Sequence, residues 1–347
     1  MVSTLLWQVL ANRWGTNARL ATAFDHESRP ATAGEKARFT LALGSAQLFN
    51  RTDWILFSHL ALAQAQQAVP RPVRRPYAVF LHGIEAWTDL SAREKRAVMA
   101  ADLRIANSRY TAMRVMARHP EIGRVEACPL ALPPAAATGS GSPSDGNPPA
   151  PETAPLAVGP HAVLIVGRMS QSERYKGHDQ LIDAWPAVVS RVPDAQLLIV
   201  GDGDDTPRLK AKAAQTPCAE RIRFCGFVSA STLQTLYEQS ALFALPSGGE
   251  GFGLVYLEAM THRLACLGSI HDAASEIIED GVTGQLVDQG DVRGVSDAIA
   301  TLLLDAPRRR AMGQAGHARA TSEFTFDRFS TRLCALIDRA EQARQRN

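Results

Sequence analysis

Two cationic side chains in the second half of the sequence have the types and spacing needed to hold a charged ligand. Arg168 follows the apolar run of residues 162–166, and Lys176 comes eight residues later, near the start of a helix-like segment. Arginine offers a planar fork of donors and lysine a point charge, a combination suited to a diphosphate. On spacing alone, a surface arginine and lysine without a ligand is the more frequent case.

A glycine-rich segment, Leu245–Met260, has the sequence LPSGGEGFGLVYLEAM and carries two carboxylates. Its four glycines follow a predicted strand and precede a predicted helix. The exposed N–H groups at the start of such a helix bind phosphate. Glu250 and Glu258 could accept hydrogen bonds from sugar or ribose hydroxyls. The alternative is a glycine-rich loop with one solvated glutamate and one on the helix surface.

Other polar residues also follow predicted strands. His82 could orient a sugar or accept a hydrogen bond from it, or it could simply cap the strand end. Asn107 and Ser108 could contact a phosphate or an acceptor, or Ser108 could cap a helix. The turn Gly201–Gly203 permits close approach of the backbone to a ligand. Because it lacks the third glycine of the dinucleotide fingerprint, a nicotinamide oxidoreductase is not supported.

Short apolar runs alternating with helix-like segments predict parallel sheets covered on both faces, in an α/β protein. The predicted strands are residues 54–58, 78–82, 103–107, 162–166, 196–200, 222–225, 242–245 and 265–268. Predicted helices include Ser91–Ala101, with a serine cap, and an amphipathic helix starting around Ser3. In such sheets ligands bind outside the carboxyl ends of the strands, where the residues singled out above lie.

A segment rich in Pro, Gly, Ser and Ala, residues 133–160, divides the chain and predicts a flexible linker. We therefore expect an N-terminal domain at 1–132 and a C-terminal domain at 161–325. Residues 326–347 are predicted to form a helix that packs back toward the N-terminal domain.

The combination Gly-Arg…Lys-Gly, Pro-Ser…Glu-Gly-Phe-Gly and Glu-Ala-Met resembles the retaining glycosyltransferases of family four, from about Val163 to Leu286. Glu250 and Glu258 match that family's Glu-x7-Glu motif. The resemblance also includes residues 224–227 and the turn 280–284. It implies the GT-B fold, in which two Rossmann-like domains face each other across a cleft.

The resemblance also implies roles for these residues. Arg168 and Lys176 would hold the donor diphosphate, Glu258 the ribose, and Glu250 the donor sugar; His82 would join Arg168, Lys176 and Glu250 as a catalytic residue. The expected donor-binding residues are Gly167, Arg168, Lys176, Gly201, Phe227, Glu250, Gly251, Phe252, Gly253, Leu254 and Glu258. No metal or other cofactor is expected, because the two cations and the helix start would neutralise the diphosphate.

The sequence departs from the family pattern at several points. Arg263 stands at a usual glycine and Ala265 at a usual proline, and residues 271–276 replace a loop that commonly contains Gly-Gly. Residues 128–131 read Cys-Pro-Leu-Ala where Pro-Asn-Gly is usual. The family's opening strand and glycine-rich loop have no counterpart, which predicts a shortened N-terminal domain or a truncated reading frame.

The function implied is metal-independent transfer of a hexose from a nucleoside-diphosphate sugar, with retention of configuration. The acceptor would be a glycan or a lipid-linked molecule, in cell-surface polysaccharide synthesis. Because of the shortened N-terminus, a non-catalytic nucleotide-sugar-binding protein or partner subunit is the alternative. A nucleotide-sugar epimerase of the same fold is a further one, against which the Glu-x7-Glu arrangement argues.

Composition is that of an ordinary soluble globular protein, with 46% hydrophobic and 21% charged residues. The five cysteines are scattered and indicate a reducing cytosol. Residues 1–135 hold 17 Lys and Arg against 10 Asp and Glu, whereas the remainder is acidic. That division favours an anionic partner such as a phospholipid surface, or arises by chance. We expect a cytoplasmic protein at the inner membrane face, with no nucleic-acid partner.

Overall fold

The computed structural model describes residues 2–18, 20, 32–49, 53–133 and 157–346. The chain forms two compact units. Unit 1 combines Met1–Gly146 with Thr325–Asn347, and unit 2 is Asn147–Phe324. Most of the predicted linker, residues 134–156, lies outside the described residues.

Unit 1 contains a parallel sheet. Its strands are β1 Ile55–Phe57, β2 Tyr77–Leu81, β3 Leu103–Ala106 and β4 Glu126–Ala127, adjacent in that order. Every residue of β2 is buried, which is the burial expected of a parallel strand covered on both faces. The first three strands were predicted; β4, with only two residues, was missed.

The helices of the N-terminal part of unit 1 cover this sheet. They are α1 Val2–Trp14, α2 Ala33–Phe49, α3 Leu60–Ala63, α4 Ile84–Trp87, α5 Ala92–Met99 and α6 Arg109–Arg118. Leu5, Leu6 and Val9 of α1 are buried, as the amphipathic pattern predicted. Ser91 caps α5 through a reciprocal capping box with Glu94, which explains why this helix was recognisable from its serine.

Unit 2 contains a second parallel sheet with more strands. They are β5 Ala162–Val166, β6 Gln196–Val200, β7 Ile222–Gly226, β8 Leu242–Ala244, β9 Ala265–Ser269 and β10 Gly284–Val287. Their order is β10-β9-β8-β5-β6-β7. Strands β6 and β7 therefore lie on one side of β5, and β8, β9 and β10 lie on its other side. The strand order reverses between β5 and β8. This reversal point is where open α/β sheets bind ligands.

The helices of unit 2 lie between and after these strands. They are α7 His178–Arg191, α8 Thr206–Ala214, α9 Ala230–Gln239, α10 Leu254–Thr261, α11 Ala274–Ile277, α12 Val292–Leu304 and α13 Ala306–Glu323. The interior of the unit is apolar: Leu181, Ile182 and Trp185 of α7 are fully buried, as are Leu197 and Ile199 of β6. Burying that surface is the main source of stability for the scaffold.

The last helix, α14 Phe326–Gln345, belongs to unit 1. Phe329 and Leu333 are fully buried, and Asp338 forms an ion pair with Arg13 of α1. Unit 1 is thus built from two separated stretches of the chain. Of the helices in the described ranges, none combines the length and the apolar composition that crossing a membrane requires.

Candidate functional site

The segment after β5 carries the two predicted cations. Gly167 and Arg168 follow the strand, a 3-10 turn covers Gln171–Lys176, and Gly177 precedes α7. Gly177 has φ +85°, and a Cβ there would lie 2.5 Å from the carbonyl oxygen of Pro246. Only glycine allows this approach, which brings the segment after β5 against the loop after β8.

A carboxylate links the two cations. The Arg168 guanidinium donates two hydrogen bonds to Glu173, at 2.9 and 3.1 Å. Lys176 Nζ lies 3.9 Å from Glu173 Oε2 and 3.3 Å from Glu250 Oε1. The structure thus brings Arg168, Lys176 and Glu250 to one place, with Arg168 70% exposed. Glu173 was missed from the sequence, where its position between two cations was the available signal.

An ion-pair network anchors the same segment. The buried carboxylate of Asp205, just before α8, accepts hydrogen bonds from Arg174 and Arg208. Hydrogen bonds from Arg208, more than those from Arg174, lower the pKa of Asp205 to about 2. The network extends from Arg208 to Asp179 in α7. Arg174 is two residues before Lys176, so the network limits where the lysine can go.

The glycines after β6 serve close backbone packing. A Cβ at Gly201 would lie 2.0 Å from the carbonyl oxygen of Gly167, and one at Gly203 would lie 2.1 Å from that of Met169. The predicted donor contact at Gly201 is therefore a position where the backbone meets the segment after β5. Phe227, also predicted to bind the donor, follows β7 and is 59% exposed.

The glycine-rich loop after β8 is held by its neighbours. Gly248 donates a hydrogen bond to the carbonyl oxygen of Tyr175, at 2.9 Å. A Cβ at Gly249 would lie 2.6 Å from the Tyr175 ring, so this glycine permits packing between the two loops. Gly251 and Gly253 complete the loop, and Gly253, with φ +90°, directly precedes α10. Among the residues with described positions, no side chain caps the start of α10 at Leu254.

Phe252 points into the protein. Its side chain is 2% exposed and packs against the ring of Phe324, with 6.0 Å between centroids. Only its backbone is therefore in a position to face a ligand, which is the part that the family resemblance implicates.

Glu250 is fixed through its backbone by Asp272. Glu250 N–H donates to Asp272 Oδ2 at 3.2 Å, and the Glu250 carbonyl accepts from Ala273 N–H at 3.1 Å. Asp272 is fully buried, and its Oδ1 accepts from Ala274 N–H at 2.9 Å. Burial raises the pKa of Asp272 to about 7. Sequence reasoning did not identify this residue, although it lies in the departure at 271–276.

Glu258, the predicted ribose ligand, is half-buried in α10. Tyr237 donates its hydroxyl hydrogen to Glu258 Oε2 at 3.0 Å, and the Tyr237 ring stacks on His262. Burial raises the pKa of Glu258, and the hydrogen bond from Tyr237 opposes that rise. Tyr237 thus orients the carboxylate, a role that its sequence position in α9 did not indicate.

In unit 1, His82 follows β2 and is held within its own sheet. Its Nε2 lies 2.5 Å from the Ser58 carbonyl oxygen, and burial lowers the pKa of the ring. The neutral ring must carry its proton on Nε2 to satisfy this carbonyl, which leaves Nδ1 as an acceptor. Asn107 donates to the His82 carbonyl at 2.6 Å. Ser108 caps α6 by accepting from Thr111 N–H, which was the capping alternative for this residue.

The residues for which the structure gives positions contain no group of three or more His, Cys, Asp and Glu side chains able to hold a metal ion. The carboxylates described above are engaged with cations, a tyrosine hydroxyl or backbone N–H groups instead.

The second half of the chain matches a known family. Residues 160–305 fit the family described as Glycosyl transferases group 1. A relative from Mycolicibacterium smegmatis, named GDP-mannose-dependent alpha-(1-6)-phosphatidylinositol monomannoside mannosyltransferase, is 34% identical over 188 residues, which are 52% of this chain and 49% of the relative. A phosphatidyl-myo-inositol mannosyltransferase of Mycobacterium tuberculosis is 38% identical over 45% of this chain and 41% of its own length. The chain spans about half the length of the curated relatives it matches.

Solved structures resemble a larger part of the chain. Anabaena Alr3699/HepE, in complex with UDP and glucose, matches 88% of this chain and 81% of its own with a TM-score of 0.69 and 19% identity. A sucrose-phosphate synthase from Thermosynechococcus elongatus matches 92% and 83% with a TM-score of 0.71 and 20% identity. These likenesses establish the fold, and the family match covers the unit that carries the site. Residues 160–305 thus match the group 1 glycosyltransferases, and the chain has the GT-B fold.

Proposed function

We propose that this protein transfers a sugar from a nucleoside-diphosphate sugar to a lipid-linked or glycan acceptor, with retention of configuration. The observation that carries the proposal is the convergence of Arg168, Lys176 and Glu250 beside the start of α10, at the reversal point of the unit 2 sheet. We call these three residues and the start of α10 the donor site.

The donor site has the chemistry that departure of a nucleoside diphosphate requires. Negative charge grows on the diphosphate as the bond to the sugar breaks, and fixed cations stabilise it most where they are already in place. Lys176 is only 18% exposed and is positioned by Glu250 and Glu173. Arg168 is more exposed and supplies a second, bidentate donor. With the start of α10 adding backbone N–H groups, the diphosphate needs no metal ion in this proposal.

The relatives suggest which donor and acceptor to test first. One relative is named as GDP-mannose-dependent and as acting on phosphatidylinositol monomannoside, and another is named a phosphatidyl-myo-inositol mannosyltransferase. We propose GDP-mannose and a lipid-linked acceptor for this chain, in the synthesis of a cell-surface glycan. Glu250 is engaged with Lys176, so we assign it to holding the sugar and not to forming a covalent bond with it.

The test is release of nucleoside diphosphate from a panel containing GDP-mannose, UDP-glucose and UDP-N-acetylglucosamine, with phosphatidylinositol lipids as acceptors. We expect Arg168→Ala to lower kcat/KM by about 100-fold, the scale of losing one fixed donor to the transition state. Arg310→Ala, which removes an exposed arginine of α13, is the matched control and should leave kcat/KM unchanged. NMR of the product should show the donor's anomeric configuration.

Either of two outcomes would overturn the proposal. One is that no donor in the panel releases nucleoside diphosphate; the other is that Arg168→Ala behaves like Arg310→Ala. Donor binding without turnover would instead indicate a nucleotide-sugar-binding protein.

A further inference from the structure

The loop after β9 contains a carboxylate in an unusual setting. Asp272 is fully buried, although carboxylates are among the side chains most rarely buried without a charged partner. It follows Ser269, the last residue of β9, in the segment where the family commonly has Gly-Gly. Burying a carboxylate where the family commonly has two glycines costs free energy, which the contacts of Asp272 must offset.

Every contact of Asp272 described above is directed at the donor loop or at the start of α11. Its two oxygens accept from different backbone groups, Glu250 N–H at 3.2 Å and Ala274 N–H at 2.9 Å. Ser247, at the beginning of the glycine-rich loop, also hydrogen-bonds to this carboxylate. A second hydrogen bond holds the Glu250 backbone, because Ala273 N–H donates to the Glu250 carbonyl. The backbone of Glu250 is thus held on both sides of its Cα.

Within the part of the chain that the structure describes, no cation forms an ion pair with Asp272. Besides burial, the largest influences on the carboxylate are the charge of Glu250, which repels it, and the hydrogen bonds from Ser247, Glu250 N–H and Ala274 N–H. Burial accordingly raises the pKa of Asp272 to about 7. A serine or asparagine could cap α11 at lower cost, since neither brings a charge into the interior. What only a carboxylate supplies here is a pair of acceptors for two backbone segments at once.

We propose that Asp272 is a positioning residue for the donor sugar: it fixes the backbone of Glu250 so that the Glu250 carboxylate is held for the sugar hydroxyls. The inference rests on the donor site proposed above and names the residue that sets its sugar end. The diphosphate end is held by Arg168 and Lys176 on the segment after β5, where Glu173 contacts both cations. Loss of Asp272 should therefore affect the sugar and spare the diphosphate.

The experiment compares two ligands that differ only in the sugar. Kd is measured for the donor that the wild-type protein turns over and for its nucleoside diphosphate, GDP or UDP, and kcat and KM are measured for the donor. For Asp272→Asn we expect the Kd of the nucleoside diphosphate to stay within about twofold. The extra affinity contributed by the sugar should disappear, and kcat should fall at least tenfold.

A double variant separates positioning from general damage. If Asp272 acts through Glu250, the variant carrying Asp272→Asn and Glu250→Gln should be no worse than Glu250→Gln alone, because coupled residues are not additive. Ser247→Ala removes one hydrogen bond to the same carboxylate, so it should cause a smaller loss of the sugar's contribution to affinity and of kcat. This variant replaces Asp272→Asn in the test if Asp272→Asn does not fold. Asp288→Asn, at an exposed carboxylate paired with His271, is the matched control and should resemble wild type.

The outcomes are distinct. Wild-type kinetics in Asp272→Asn, or an equal loss of affinity for the nucleoside diphosphate and the donor, would overturn the positioning role while leaving the proposed function intact. Additive losses in the double variant would also overturn it. A wild-type protein that binds no nucleoside diphosphate and turns over no donor would remove the proposed function, and the positioning role with it.

Discussion

The Glu173 carboxylate makes hydrogen bonds or ion pairs with both cations of the donor site. It accepts two hydrogen bonds from Arg168 and lies 3.9 Å from Lys176 Nζ. A carboxylate and a phosphate use the same donors on arginine and lysine. A bound diphosphate would therefore replace Glu173 as the partner of Arg168 and Lys176. The contacts with Glu173 would be lost on binding, which lowers the net gain in free energy.

We expect Glu173→Gln to bind GDP or UDP about threefold to tenfold more tightly, because the neutral amide competes less for the cations. The gain is limited because Arg168 is largely exposed, where ion pairs contribute little. Isothermal titration calorimetry at low, fixed salt concentration measures it. Glu220→Gln, at an exposed glutamate of unit 2, is the control. Weaker binding by Glu173→Gln would mean that the carboxylate mainly orients the cations.

The sequence indicated candidate site residues where the residue type suggested the chemistry. Arg168 and Glu250 follow strands, and the carboxyl ends of parallel strands meet at one edge of a sheet, which favours their convergence. The family resemblance, and not the spacing, selected these residues and Lys176 as candidates. Glu173 was missed although it lies in sequence between the two cations that it contacts. Asp272 could not be predicted, because its role depends on which loops meet in three dimensions. Glycine was ambiguous for a related reason: Gly201 and Gly249 make room for another loop, and the sequence does not tell a neighbouring loop from a ligand.

Among the structural elements, the end of α10 combines an unusual residue with an unusual backbone conformation. Arg263, in the short connection from α10 to β9, has φ +59°, the left-handed region that favours glycine. It stands where the resembled family usually has glycine. A non-glycine residue in this conformation costs roughly 1–2 kcal/mol, and Arg263 is exposed.

We predict that Arg263→Gly raises the free energy of unfolding by about 0.5–1 kcal/mol. Relief of the backbone conformation exceeds the entropy that glycine adds to the unfolded chain, about 0.4–1 kcal/mol. Urea denaturation of the wild type and the variant gives the difference. Arg263→Ala keeps a Cβ at the same φ and should give no gain. If the alanine variant is stabilised as much as the glycine variant, backbone strain is not the cause.

The strands show how far continuous apolar runs in the sequence can predict secondary structure. Each strand predicted from such a run is present, with ends that differ by no more than one residue. The two missed strands, β4 and β10, lie at the edges of their sheets. An edge strand has a neighbour on one side only, so it can carry residues such as Glu126 and Gln285 that remain half-buried. Their patterns are therefore not continuously apolar.

Over the whole molecule, charge is divided unevenly along the chain. Residues 1–135, all in unit 1, carry 17 Lys and Arg against 10 Asp and Glu. Helix α2 presents exposed Lys36 and Arg38 together with Phe49, whose side chain is 84% exposed. A basic surface with exposed apolar side chains is attracted to an anionic bilayer, which a lipid-linked acceptor would require the protein to approach.

We expect the protein to co-sediment with vesicles containing 30% phosphatidylserine and to be released by 0.5 M NaCl, which screens charges beyond a few ångströms. Lys36→Glu combined with Arg38→Glu should weaken binding several-fold. Arg308→Glu combined with Arg310→Glu, on α13 of unit 2, is the control of equal charge change. Binding that ignores salt and phosphatidylserine, or equal loss in both double variants, would contradict this role for unit 1.

The position of helix α14 at the end of the sequence affects the order in which the two units can fold during synthesis. Unit 1 closes only when residues after Thr325 are available, because Phe329 and Leu333 are buried in it. A ribosome releases all of unit 2 before it releases these residues. During synthesis unit 2, which carries the donor site, can therefore complete its core first. Unit 1 cannot complete its core until α14 has been synthesised, although most of it is synthesised earlier.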